Sequence, residues 1–78
     1  MIDSGFQDVA CQAKKLLDES PFVELHGIEV QRTDERVYLR GEVATFFLKQ
    51  LAQETVRSAT RGLEVSNEVL VALRHRVH

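Results

Sequence analysis

The chain has 78 residues, 44% of them hydrophobic, enough for one small folded domain and too many for a disordered segment. The longest unbroken apolar run is the five residues Val69–Leu73, against about 20 for a membrane-spanning helix, and a single cysteine excludes an internal disulfide. Ten basic and twelve acidic side chains leave a net charge of −2, without the basic excess of a nucleic-acid binder.

The charge is uneven. Residues 1–39 hold four basic and eight acidic groups, residues 40–78 six basic and four acidic, so an anionic partner is sought in the second half. No charged-then-apolar leader opens the chain, which points to a cytoplasmic product.

Phe6, Val9, Ala10, Ala13, Leu16 and Leu17 recur at spacings of three, four and seven, predicting a helix over 6–19 with one apolar stripe. Asp3 or Ser4 is placed to cap it, and Ser20-Pro21 ends it, because proline disfavours a helical residue before it. The outer face mixes Asp8, Lys14, Lys15, Asp18 and Glu19, so the stripe is read as core packing rather than membrane contact.

From Gly27 the period is two. Ile28 and Val30 alternate with Glu29 and Gln31; Val37, Leu39 and Val43 alternate with Tyr38, Arg40 and Glu42. These are two half-buried strands, joined into an antiparallel hairpin by the polar turn Thr33-Asp34-Glu35-Arg36. Gly41 occupies an inward position, where a missing side chain lets a helix or backbone approach closely, or permits a bulge. Glu29 and Arg40 share the outer face and are expected to pair across the hairpin.

Thr45 caps a second helix reaching about Arg61, with the stripe Leu48, Leu51, Ala52, Thr55, Val56 and Ala59. Gly62 stands just past it, where a left-handed stop favours glycine. Val65, Val69, Val71 and Leu73 form a third strand, and Asn67 sits in its inward register. The expected fold is α+β in the order α-β-β-α-β, with two helices packed on one face of a three-stranded mixed sheet. The domain is read as 1–78, with a core of about 6–73 and a frayed tail over 74–78.

Gly27-Ile28-x-Val30, Val37-x-Leu39-x-Gly41-x-Val43, the second helix with Lys49 and Ala52, Gly62-Leu63, and Val65-x-Asn67-x-Val69-x-Val71 follow one another in an order that resembles the BON domain. This small module is named after bacterial osmotically inducible and nodulation-associated proteins. The resemblance covers about residues 6–73. It implies a non-catalytic module that binds phospholipid surfaces or cell-envelope components, and a periplasmic or envelope setting if the chain is part of a longer one.

The residues themselves offer little for catalysis. Cys11 lies about 150° from the apolar stripe, so it faces solvent. Lys14 and Lys15 follow it at i+3 and i+4, but no base or oxyanion hole accompanies it. His75 and His78 have a ligand-like spacing on a tail that fixes no geometry. The carboxylates do not pair, and no glycine loop cradles a phosphate. No enzyme, metal or cofactor is expected.

The informative feature is Phe46-Phe47-Leu48. Leu48 belongs to the core stripe, while Phe47 falls about 110° and Phe46 about 150° away from it. Lys49, Gln50, Gln53, Arg57 and Arg61 follow on the outward side, with Glu54 the one acid there. Phe46, Phe47, Lys49, Arg57 and Arg61 are therefore the candidate contacts to an anionic phospholipid surface or an envelope protein, the phenyls inserting and the cations meeting phosphates. The bland reading folds Phe46 against the first helix or a loop. Gly41, Gly62 and Asn67 are candidate structural residues, Asn67 fixing strand register through bonds to nearby backbone. The alternative function is a protein–protein adaptor or weakly self-associating domain without lipid affinity, using Tyr38, Leu70 and Ala72 on the open sheet face.

Overall fold

The computed structural model describes residues 5–60 and 62–72, with side chains in the first helix described from Val9 onward. The proposed caps Asp3 and Ser4, the Phe6 side chain, Arg61, Leu73 and the tail with its two histidines lie outside the described residues. The elements are helix α1 (Gly5–Asp18), a 3-10 helix (Val23–Gly27), strands β1 (Glu29–Arg32) and β2 (Arg36–Val43), helix α2 (Phe46–Thr60) and strand β3 (Glu64–Val71).

The sheet order is β1-β2-β3. β1 runs antiparallel to β2, with Val30 opposite Leu39, and β3 runs parallel to it, with Leu39 opposite Asn67 and Gly41 opposite Val69. The sheet is mixed, as the order α-β-β-α-β requires: a hairpin reverses direction, whereas a helical crossover restores it.

Both helices cover one sheet face. Val9, Ala13 and Leu17 of α1 and Leu48, Ala52, Val56 and Ala59 of α2 are buried against Val37, Leu39, Val43 and Val69 of the sheet. Each fully buried Leu, Ile or Val removed from water stabilises by about 1.5–3 kcal/mol. Of the expected stripes, Ala10, Leu16, Leu51 and Thr55 are half-buried at the margins, while Thr60 is buried and donates its hydroxyl proton to the Arg57 carbonyl at 3.0 Å.

Three local features position the rest. Thr45 caps α2, its hydroxyl accepting the Leu48 amide at 3.1 Å. Gly62 follows α2 with φ +85°, in the left-handed region that side chains disfavour, and the Leu63 amide returns to the Thr60 carbonyl at 2.9 Å. At Gly41 a Cβ would stand 3.2 Å from both Cα and Cγ1 of Ile28 and 3.4 Å from the Gly27 carbonyl. The missing side chain admits the start of the hairpin, not a helix.

One element was not anticipated, and three details differ from expectation. The stretch after Pro21 is a 3-10 helix, pinned by buried Leu25, by Lys14 Nζ donating to the His26 carbonyl at 2.7 Å, and by a 2.8 Å bond between His26 Nε2 and the Ser20 carbonyl. β1 opens at Glu29 rather than Gly27, although Ile28 is still fully buried. β3 opens one residue early, at Glu64, whose carboxylate meets Arg36 at 3.0 Å. Arg40 does not pair with Glu29. It has an acid in register on each side, and its guanidinium turns to Glu68 at 3.0 Å, with the Tyr38 ring 5.9 Å away. Parallel pairing puts Glu68 on the same outer face, where Ser66 also bonds it.

Candidate functional site

Among the described residues, four of the five exposed large apolar side chains gather where α2 begins, and the fifth, Leu70, lies on the open sheet face. The capped turn at Thr45 starts the helix with two phenyls in succession, and 100° per residue cannot turn both inward while Leu48 is buried. Phe46 is 69% exposed and Phe47 61%. Phe46 does not fold away under a helix or loop. Phe47 meets Phe22 edge to face, with ring centroids 5.8 Å apart and planes at 72°. This geometry suits the aromatic quadrupole. Phe22 is 42% exposed and its neighbour Val23 72%. Between the two segments lies a shallow depression of about 230 Å³ lined by Pro21, Phe22, Val23, Glu24 and Leu48.

Phe22 and Val23 are the residues the sequence reading missed. They reach the patch because Ser20 Oγ accepts the Phe22 amide at 3.0 Å, turning the chain at the end of α1, and the 3-10 helix then starts at Val23. The available signal was two apolar residues directly after Pro21 in a stretch with no period to place them.

The proposed cations are distributed along α2. Phe46 and Arg57 are eleven residues apart, about 16 Å along the axis and about 20° around it, so they share one outward line. Arg57 is exposed, but its guanidinium is held by Glu54 at 3.1 and 3.3 Å. Lys49, one turn beyond Phe46, is half-buried. The structure therefore brings Phe46 and Phe47 together with Phe22 and Val23, sets Lys49 beside them, and places Arg57 at the far end of the helix in an ion pair.

Asn67 lies under the same helix. Its amide donates to the Lys49 carbonyl at 2.9 Å and to Gln53 Oε1 at 3.2 Å, and its Oδ1 accepts the Val69 amide at 3.2 Å. Its nitrogen is thus engaged by α2 and its oxygen by its own strand.

Cys11 is exposed, in an open groove of about 600 Å³ between α1 and β1, and the ammonium of nearby Lys14 is bound by Asp18 at 2.8 Å. Among the described residues no three His, Cys, Asp or Glu side chains converge to hold a metal ion. Over the open sheet face the Arg36–Glu64 and Arg40–Glu68 pairs form a polar ladder, with Leu70 exposed beside Glu42. No helix among the described residues is long and apolar enough to cross a membrane.

This is a small α+β module whose exposed aromatic side chains, among the described residues, are concentrated around the start of α2. The family model of the BON domain matches residues 7–72, so the chain belongs to the BON domain family. No curated protein matches the chain. BON domains are non-catalytic binding modules linked to phospholipid and to the cell envelope or periplasm, and membership supports a binding role for this chain.

Proposed function

We propose that this chain docks on anionic phospholipid membranes through the aromatic patch, with α2 lying along the surface. The observation that carries the reading is the exposed cluster of Phe22, Val23, Phe46 and Phe47, in which two segments present apolar side chains side by side. Burying a largely exposed phenyl in the acyl boundary is worth up to about 1.5–3 kcal/mol, so two or three of them supply measurable affinity. Lys49, and Arg57 as it exchanges Glu54 for a headgroup, would meet phosphates from the outward side of α2, and Arg61 follows them in sequence. The overall charge of −2 opposes an anionic surface, but at physiological salt the field beyond about 8 Å is screened and the local charges decide.

Flotation with vesicles of phosphatidylglycerol and phosphatidylcholine tests this. The wild-type chain is expected to float with the vesicles, and the double variant Phe46→Ser with Arg57→Glu to remain below. A wild-type chain that stays at the bottom at low salt, or a variant that floats equally well, removes the proposal.

A further inference from the structure

The patch is built from two segments that the chain does not connect locally. Phe22 and Val23 stand at the start of the 3-10 helix, whereas Phe46 and Phe47 open α2, beyond the whole hairpin. The hydrogen bond that joins the segments is made by Glu24. Its Oε1 accepts the Ala44 backbone amide at 2.9 Å, two residues before Phe46. We propose that Glu24 is a positioning residue for the docking patch: its carboxylate clasps the loop before α2 and so holds Phe22 against Phe47. The functional half of this inference rests on the docking reading above.

Two arguments support the clasp. The first is electrostatic. An exposed carboxylate beside a surface meant for anionic lipid is repelled by it, so its place there needs a compensating role, and a charge-assisted bond to a backbone amide supplies one. The second is mechanical. The far end of the 3-10 helix is already fixed by Leu25 in the core, by Lys14 on the His26 carbonyl, and by Gly27 and Ile28 seated on Gly41. The near end, with its exposed Phe22 and Val23, has the ring contact to Phe47 of α2 and the Glu24 bond to the loop before it. Holding the rings together before contact removes an ordering cost from binding.

The variants Glu24→Gln and Glu24→Ala separate this role from charge. Both remove one negative charge, so on charge alone both bind anionic vesicles better than wild type and equally well. Only glutamine keeps a side-chain oxygen able to accept the Ala44 amide. The clasp predicts that Glu24→Gln matches or exceeds wild type on equimolar phosphatidylglycerol and phosphatidylcholine vesicles, while Glu24→Ala binds at least fivefold more weakly. Without lipid, the nuclear Overhauser contact between the Phe22 and Phe47 rings should persist in Glu24→Gln and disappear in Glu24→Ala, with about tenfold faster exchange of the Ala44 amide. Unchanged far-UV dichroism in both variants establishes that the fold is intact. A ring contact that survives in Glu24→Ala, or equal vesicle binding by the two variants, overturns the clasp. Failure of the wild-type chain to bind any vesicle overturns the docking reading instead, and the clasp is then judged by the ring contact.

Discussion

The Asn67 side chain donates to the Lys49 carbonyl at 2.9 Å, tying the middle of the edge strand β3 to the first half of α2. Its second acceptor, Gln53, lies one turn further along the same helix, and its own oxygen takes the Val69 amide. A half-buried amide with both its nitrogen and its oxygen engaged sets the position of the helix along the strand, which apolar packing alone leaves free to slide. The Asn67→Ala variant is predicted to lose about 1–3 kcal/mol, because the groups it leaves behind are partly shielded from water. Urea denaturation measures it, and a loss below about 0.5 kcal/mol would show that the network contributes little beyond packing.

Gly41 governs how β1 enters the sheet. In the Gly41→Ala variant the new methyl meets the Ile28 Cα at 3.2 Å, and a backbone atom cannot swing aside as the end of a flexible side chain can. The start of the hairpin must shift, and the predicted cost is about 1–3 kcal/mol, or a fall in Tm of roughly 5–20 °C for a chain of this size. An unchanged melting temperature would mean that the Gly27–Ile28 segment relaxes freely, contrary to its place beside the buried core.

The contrast between these two residues and the patch explains what the sequence could disclose. Helices and strands announce themselves through repetition: Val9, Ala13 and Leu17 mark α1, and Val37, Leu39 and Val43 mark β2, each by a period that only one backbone geometry satisfies. Gly41 and Asn67 stood out because each interrupts such a pattern. The 3-10 helix is five residues long and buries only Leu25, so it has no period to read. The pairing of Phe22 with Phe47 is a contact across the fold, set by where the hairpin returns the chain. Arg40 had acids available in either neighbouring strand, and periodicity says which face a strand buries, not which way a guanidinium turns. The Glu54–Arg57 pair was within reach of helix spacing, since i and i+3 are neighbours on a helix, and it changes how much free charge that face carries.

The Phe22–Phe47 edge contact makes a prediction separable from docking. Leucine at either position keeps an apolar side chain while removing the ring geometry. A double-mutant cycle over Phe22→Leu and Phe47→Leu should give a coupling energy near the lower end of the aromatic range, about 0.5 kcal/mol, because both rings are partly solvated. Chemical denaturation of the four proteins supplies the value. Strict additivity would indicate two independent exposed side chains that lie near each other without mutual stabilisation.

Glu54 decides how much of the cationic side of α2 is available to an anionic surface. Its carboxylate holds Arg57, so together the two contribute no net charge along the line that runs from Phe46. Exposed pairs of this kind add only a few tenths of a kcal/mol to folding, so Glu54→Gln should leave stability within about 0.5 kcal/mol of wild type. Released from its partner, Arg57 can meet a headgroup phosphate, and one basic residue close to an anionic membrane is worth about 1 kcal/mol, roughly fivefold in partitioning. Sedimentation with phosphatidylglycerol-containing vesicles at low and at raised salt should therefore show tighter binding by Glu54→Gln and a steeper loss of that gain as salt rises. If the variant binds no better than wild type at low salt, the outward line of α2 does not reach the membrane, and the aromatic patch alone must account for any docking.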